Sequence, residues 1–157
     1  MPSKRKKPAK RKAPSGISKR KVVTFLWYNG RAEEAARFYV SLFKNSKVVS
    51  VNAMTTTFTL EGQEFIALNG GPQFKLNESV SLFVDCKDQK EIDYFWAKLT
   101  ADGGRESQCG WLVDKFGLSW QIIPTVLPKL IMKSPAALQA MLKMQKIDLA
   151  ALERAAS

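Results

Sequence analysis

A chain of 157 residues that contains no histidine has to find its acids, bases and metal donors elsewhere. Without imidazole, Ser-His-Asp and Cys-His hydrolysis, His-ligated zinc and histidine general acid–base chemistry are all excluded. Few residues remain that could do chemistry. Cys86 and Cys109 are 23 positions apart, with neither a CxxC nor a metal-binding spacing, and read as free thiols. Cys109 has Arg105 and Lys115 nearby in sequence, and a cation is what would lower a thiol pKa, but a buried structural cysteine fits it as well. Asp114 could serve as a general base, although Asp-Lys-Phe-Gly also spells a hairpin turn. Gln121 alternates with Ser119 and Ile123, so it stands on one strand face among apolar neighbours and needs a hydrogen-bond partner. Trp27, Trp111 and Trp120 could stack on a flat ligand or fill a core, and Trp120 has the opposite parity to Gln121.

The elements that must position these residues follow from periodicity. Val22–Tyr28 is a β-rich apolar run broken by Asn29-Gly30. Ala35, Phe38, Tyr39, Leu42 and Phe43 then recur at the spacing of one helical face. Strands are predicted over Lys47–Ala53, Thr55–Leu60 and Glu64–Asn69, and Gly70-Gly71-Pro72 closes the unit. The order repeats. Val80–Asp85 reads as a strand, Asp88 and Glu91 have capping-box spacing, and Ile92, Phe95, Trp96 and Leu99 form a helical face. Strands near Glu106–Cys109, Trp111–Asp114 and Leu118–Ile123 follow. Laid on each other without a gap, the halves match at an offset of 57, pairing Val23 with Val80, Phe38 with Phe95 and Leu42 with Leu99. After Pro124, Ser134-Pro135 and Asp148 mark two helix starts in a C-terminal extension.

The charge lies mostly in one place. The formal net charge is +11, yet residues 1–21 alone hold ten Lys/Arg and no acid. The rest of the chain is close to neutral. Such a segment cannot bury a core and reads as a disordered tail. Lys4, Arg5, Lys6, Lys7, Lys10, Arg11 and Lys12 would give salt-sensitive, sequence-independent contact with a polyanion such as nucleic acid. No apolar segment follows the charges and none approaches a membrane span, so the reading is a cytoplasmic protein without membrane partners.

Paired βαβββ modules resemble the vicinal-oxygen-chelate superfamily of glyoxalases, extradiol dioxygenases and bleomycin-binding proteins. FLWYNGRAEEAARFYVSLF, FIALNGGPQFKLNE, CGWLVDKFGLSWQIIPTVL and LQAMLKMQKIDLAALERA narrow the resemblance to the PhnB-like family, whose members often carry the label 3-demethylubiquinone-9 3-methyltransferase. The resemblance runs from about Lys21 to Ala156. It implies an α+β glyoxalase-like fold whose modules curl into a cupped sheet around a ligand cavity, within one chain or across a homodimer. The superfamily's four metal-ligand positions fall near Thr24, at Ala67 or Asn69, at Ser79 or Ser81, and at Gln121. None is His, Asp or Glu, so no metal and no other cofactor is expected. The chain has no GxGxxG for a nucleotide-type methyl donor, and its Val51–Thr57 connection is shorter than in PhnB-like relatives.

The sequence therefore predicts a tail (1–21), a first module (22–77), a second module (78–125) and a helical extension (126–157). The expected ligand cavity carries Thr24, Asn69, Ser79, Ser81, Trp111 and Gln121 and takes a small molecule. A metal-independent transferase, isomerase or lyase would need Asp114 or Cys109 to move a proton. A protein localised by its tail on nucleic acid is the third reading. On that reading, deleting residues 1–21 abolishes retention on a DNA column, and retention of the intact chain falls steeply between low and moderate salt. Equal retention of both chains would refute it.

Overall fold

The computed structural model describes residues 16–157, so Lys4–Lys12 lie outside the described residues. Two four-stranded sheets form, each wrapped by one helix. In the first module the order is β1 (Thr24–Tyr28), α1 (Ala32–Leu42), β2 (Lys47–Val51), β3 (Thr55–Leu60) and β4 (Gln63–Asn69). The second repeats it as β5 (Ser81–Cys86), α2 (Gln89–Thr100), β6 (Arg105–Glu106), β7 (Trp111–Val113) and β8 (Ser119–Pro124). Spatial orders are β1-β4-β3-β2 and β5-β8-β7-β6, with β1 parallel to β4, β5 parallel to β8, and antiparallel pairs elsewhere. This is the α+β fold of two βαβββ modules that the repeat pattern predicts.

Local chemistry sets the helix starts. Asp88 caps α2 by accepting the Glu91 amide at 2.9 Å, and the Glu91 carboxylate reaches back to the Lys87 amide at 2.8 Å. α1 lacks a side-chain cap at Arg31. Its first amide, on Ala32, instead donates to Asn69 Oδ1 at 2.9 Å, from the end of β4.

The helix-bearing faces of both sheets feed one core. Leu26, Tyr28, Phe58 and Phe65 come from the first sheet, and Leu112, Trp120 and Ile122 from the second. Between them Tyr39 of α1 packs edge-on to Trp120 with centroids 5.4 Å apart. Phe43, just past α1, stacks on Phe95 at 4.8 Å and on Trp120 at 5.8 Å. The opposite sheet faces point away from this core and are partly open, with Phe25 49% and Phe83 57% exposed.

The repeat is less regular than a constant offset. Along the helices the offset of 57 holds, pairing buried Ala35 with Ile92, Tyr39 with Trp96 and Leu42 with Leu99. In the first strands it fails, because the core-facing pair Leu26 and Tyr28 corresponds to Leu82 and Val84. The second module carries one more residue between strand and helix. A shift of one residue exchanges the two faces of a strand.

Three helices follow β8: α3 (Leu127–Lys133), α4 (Pro135–Leu142) and α5 (Leu149–Ala156). Ser134 and Asp148 cap α4 and α5 as the sequence suggests, whereas α3, with Pro128 in its first turn, has no signal that separates it from a loop. The extension packs Leu127, Ile147 and Leu152 against Ile123 in a second, smaller core. It is also sewn on by backbone bonds, Cys109 N–H to Met144 O and Gly110 N–H to Gln145 O, each 2.8 Å. At Gly110, φ is +84° and a Cβ would stand 2.7 Å from Ile123 Cδ1 and 2.9 Å from Ile122 O. Gly110→Ala is therefore expected to lower unfolding free energy by about 1–3 kcal/mol in a denaturant titration; an unchanged midpoint would contradict this packing.

Candidate functional site

The open face of the second sheet collects the chemistry. β8 lies between β5 and β7, and its Gln121 is directly opposite Phe83 on one side and Trp111 on the other. An amide thus stands between two aromatic rings in one row across three strands. Gln121 Nε2 donates to Ser81 Oγ at 2.9 Å. In the next row Ser119 faces Ser81 and Val113. The Ser119 side chain is buried, and its hydroxyl has no hydrogen-bond partner among the described residues. An unmatched buried hydroxyl costs about 1–3 kcal/mol unless water or a ligand completes it. The sequence reading put Ser119 on the Gln121 face, but only the structure shows that it lacks a partner.

Three of the six predicted cavity residues, Ser81, Trp111 and Gln121, share this face. The others do not join them. Thr24 alternates with Leu26 and Tyr28 and so lies on the helix-bearing face of the first sheet. The family resemblance put Thr24 among the cavity positions, and the alternation of β1 puts it on the other face. Asn69 is occupied twice over, accepting from Ala32 N–H and donating to Ala53 O at 3.2 Å. It fastens the start of α1 and does not line a cavity mouth. Ser79 precedes β5 on an exposed bend, where its hydroxyl and amide both bond Asn77 Oδ1.

The donors of a metal site are not assembled here. Ser81 and Gln121 offer a hydroxyl and a neutral amide that already bond each other, and Thr24 is on another face. Among the described residues no group of three His, Cys, Asp or Glu side chains comes together. This donor set does not fit a divalent transition metal.

Asp114 has a structural task. Its Oδ2 accepts the Tyr39 hydroxyl and the Trp120 indole N–H, both at 2.8 Å. Its Oδ1 accepts the Phe116 and Leu118 amides at 2.8 and 3.1 Å, closing the β7–β8 turn. Burial pushes this carboxyl above the usual range, against the pull of Trp120, Tyr39 and the two amides. The Tyr39 hydroxyl also meets that of Tyr28 at 3.2 Å, and burial raises both phenols far above their ordinary value. Cys109 is half-buried in a left-handed conformation with φ of 56°. The cations near it in sequence are engaged elsewhere, Arg105 by Glu78 at 2.9 Å and Lys115 over the Phe38 ring at 4.5 Å. Cys86 is buried, and desolvation raises its thiol to about 12.

Comparison with known proteins agrees with this geometry. A family profile described as 3-demethylubiquinone-9 3-methyltransferase matches residues 20–123. The chain belongs to this PhnB-like family. A PhnB protein of Bacillus cereus is 35% identical, with 67% of this chain and 99% of that one covered, at a TM-score of 0.62. A Pseudomonas aeruginosa protein at 17% identity shares the fold at a TM-score of 0.53, over 66% and 96% of the two chains. A search of curated proteins gave no match. No described helix is long and apolar enough to cross a membrane.

Removing the Asp114 carboxylate takes the acceptor away from four donors, of which the Tyr39 hydroxyl keeps that of Tyr28 as a second partner. Asp114→Ala is expected to cost about 2–4 kcal/mol of stability by chemical denaturation. Because the native pKa lies above that of an unfolded aspartate, the folded chain holds more protons in that window. The group's contribution to stability therefore falls as pH rises through the raised pKa. The stability gap between wild type and Asp114→Asn should narrow on going from acid to neutral pH; a gap that widens would show the carboxyl to be depressed.

Proposed function

We propose that this chain binds a small molecule on the open face of its second sheet, without a metal, and that a second copy of the chain helps to cover that face. The buried, unpartnered hydroxyl of Ser119 beside Gln121 carries the reading. The row Phe83–Gln121–Trp111 gives two aromatic walls and one amide. Ser81 and Ser119 add hydroxyls that both donate and accept. This composition suits a flat, neutral molecule with a carbonyl or hydroxyl group, held by stacking and by one or two hydrogen bonds. The Phe83–Gln121–Trp111 row itself holds no charged side chain for an ionic substrate.

The homodimer is what the family resemblance implies, and the exposed Phe25 and Phe83 are consistent with it. Completing the burial of each ring contributes about 1–2 kcal/mol. A metal-independent enzyme on this face would need a proton-transfer group there. Asp114 faces the other way, into the core, with both oxygens engaged. The Cys109 thiol makes no hydrogen bond to a base among the described residues. The geometry thus favours binding over turnover, and methyl transfer has no donor-binding turn to support it.

The test is a ligand screen on the intact protein. Native mass spectrometry should show a copurified small molecule, or saturation-transfer NMR should pick neutral aromatic carbonyl compounds from a mixed library. Gln121→Leu or Trp111→Ala should weaken binding of the same compound about tenfold or more with an unchanged circular dichroism spectrum. If charged compounds are preferred, or if neither substitution alters binding, the assignment to this face is wrong.

A further inference from the structure

A second concavity lies on the other side of β5 and has a different character. β5 pairs only with β8, so its outer edge is free. Along that edge runs a cleft of about 650 Å³ between β5 and the turn joining β3 to β4. Phe43, Phe83 and Phe95 are among its aromatic walls, and Glu61, Asp85 and Glu91 supply three carboxylates. No Lys or Arg lines it; Lys44 stands on the adjoining flank with Glu61 and Glu91. None of these three acids forms a salt bridge among the described residues.

Arg20, near the start of the described residues, stands beside this cleft. Arg20 donates to Gly62 O at 3.2 Å, on the turn that carries Glu61. Arg20, Val22, Val23 and Thr24 line a neighbouring concavity together with residues 61–64. There Glu64 keeps one carboxylate oxygen buried and without a partner among the described residues. The segment that leads into Arg20 holds seven Lys/Arg in its first fifteen residues and no acid. Fifteen extended residues span about 50 Å, far more than the length of β5.

We propose that residues 1–15 of the chain dock in the acidic, aromatic cleft along β5, as an intramolecular contact. Each lysine stem can lie on the phenyl walls while its ammonium reaches a carboxylate or a ring face. Pro2, Pro8 and Pro14 prevent continuous strand pairing, so side chains, rather than a β-ladder, carry the contact. The short tether gives the tail a high effective concentration at the cleft, and individually weak pairs therefore suffice. The consequence is a competition. A polyanion and the cleft seek the same lysines, so a tail drawn onto nucleic acid vacates β5. Ser81 and Phe83 belong to both the cleft and the ligand face, so docking also narrows that face. This last consequence rests on the small-molecule reading, whereas the contact itself does not.

Zero-length carbodiimide cross-linking of the full chain, read by peptide mass spectrometry, tests the contact directly. The reagent condenses a lysine amine with a carboxylate, with loss of water to the carbodiimide. Lys4, Lys6, Lys7, Lys10 and Lys12 should join Glu61, Asp85 or Glu91 about tenfold more often than they join the exposed controls Asp102 and Glu153. Salt at 0.5 M should cut the yield severalfold, and Glu61→Gln with Asp85→Asn should move it away from the cleft. Mixing ¹⁵N-labelled with unlabelled protein separates links within a chain from links between chains. Even spread over all exposed carboxylates, insensitivity to salt, or predominance of links between chains would overturn the proposal. Ligand binding is measured separately, so failure of the small-molecule reading leaves this result interpretable.

Discussion

One buried carboxylate holds the two modules in relation to each other. Asp114 lies on the β7–β8 turn of the second module, yet one of its oxygens takes a proton donor from α1 of the first. The same oxygen takes the Trp120 indole, which stacks on Phe43. Tyr39, Trp120 and the turn amides thus share one acceptor, and the aromatic packing between modules is arranged around it. Burying this carboxyl is costly, and it is tolerated because each oxygen is fully matched. The helix-bearing faces meet across this hub. Both sheets consequently turn their other faces outward, and the open face with Phe83, Gln121 and Trp111 results.

Much of this was legible in the sequence. Periodicity gave both helices, the capping box at Asp88 and the caps at Ser134 and Asp148, because each depends on local chemistry. The repeat gave the βαβββ order twice. What the sequence could not fix was the face on which each strand residue lies. A gapless alignment of the halves is right for the helices and one residue out for the first strands. Thr24, a cavity position by resemblance alone, stands on the core side with Leu26 and Tyr28. Asn69 failed for another reason: a donor from α1, 37 positions earlier, claims its amide. Such a long-range partner leaves no trace in local pattern.

Asp114 shows the same limit from the other direction. As a sequence, Asp-Lys-Phe-Gly allows a base or a turn, and the turn is present through bonds to the Phe116 and Leu118 amides. Its tie to Tyr39, 75 positions away, could not be foreseen. The missing histidines, by contrast, were informative from the start. They removed imidazole from every list of donors, and on the open face a hydroxyl and an amide, those of Ser81 and Gln121, bond each other.

The C-terminal extension gives the molecule a handedness of use that its repeat alone would lack. Two repeats of one βαβββ unit present two sheets of like strand order. Here the segment from Leu127 to Ser157 is stitched to the second module through Met144, Gln145 and Ile147. It buttresses one end of β8 and leaves the first sheet without a counterpart. Duplication supplied the symmetry, and an unduplicated appendix broke it. Visitors to the two faces then meet different rims, and the two halves are free to drift toward separate tasks.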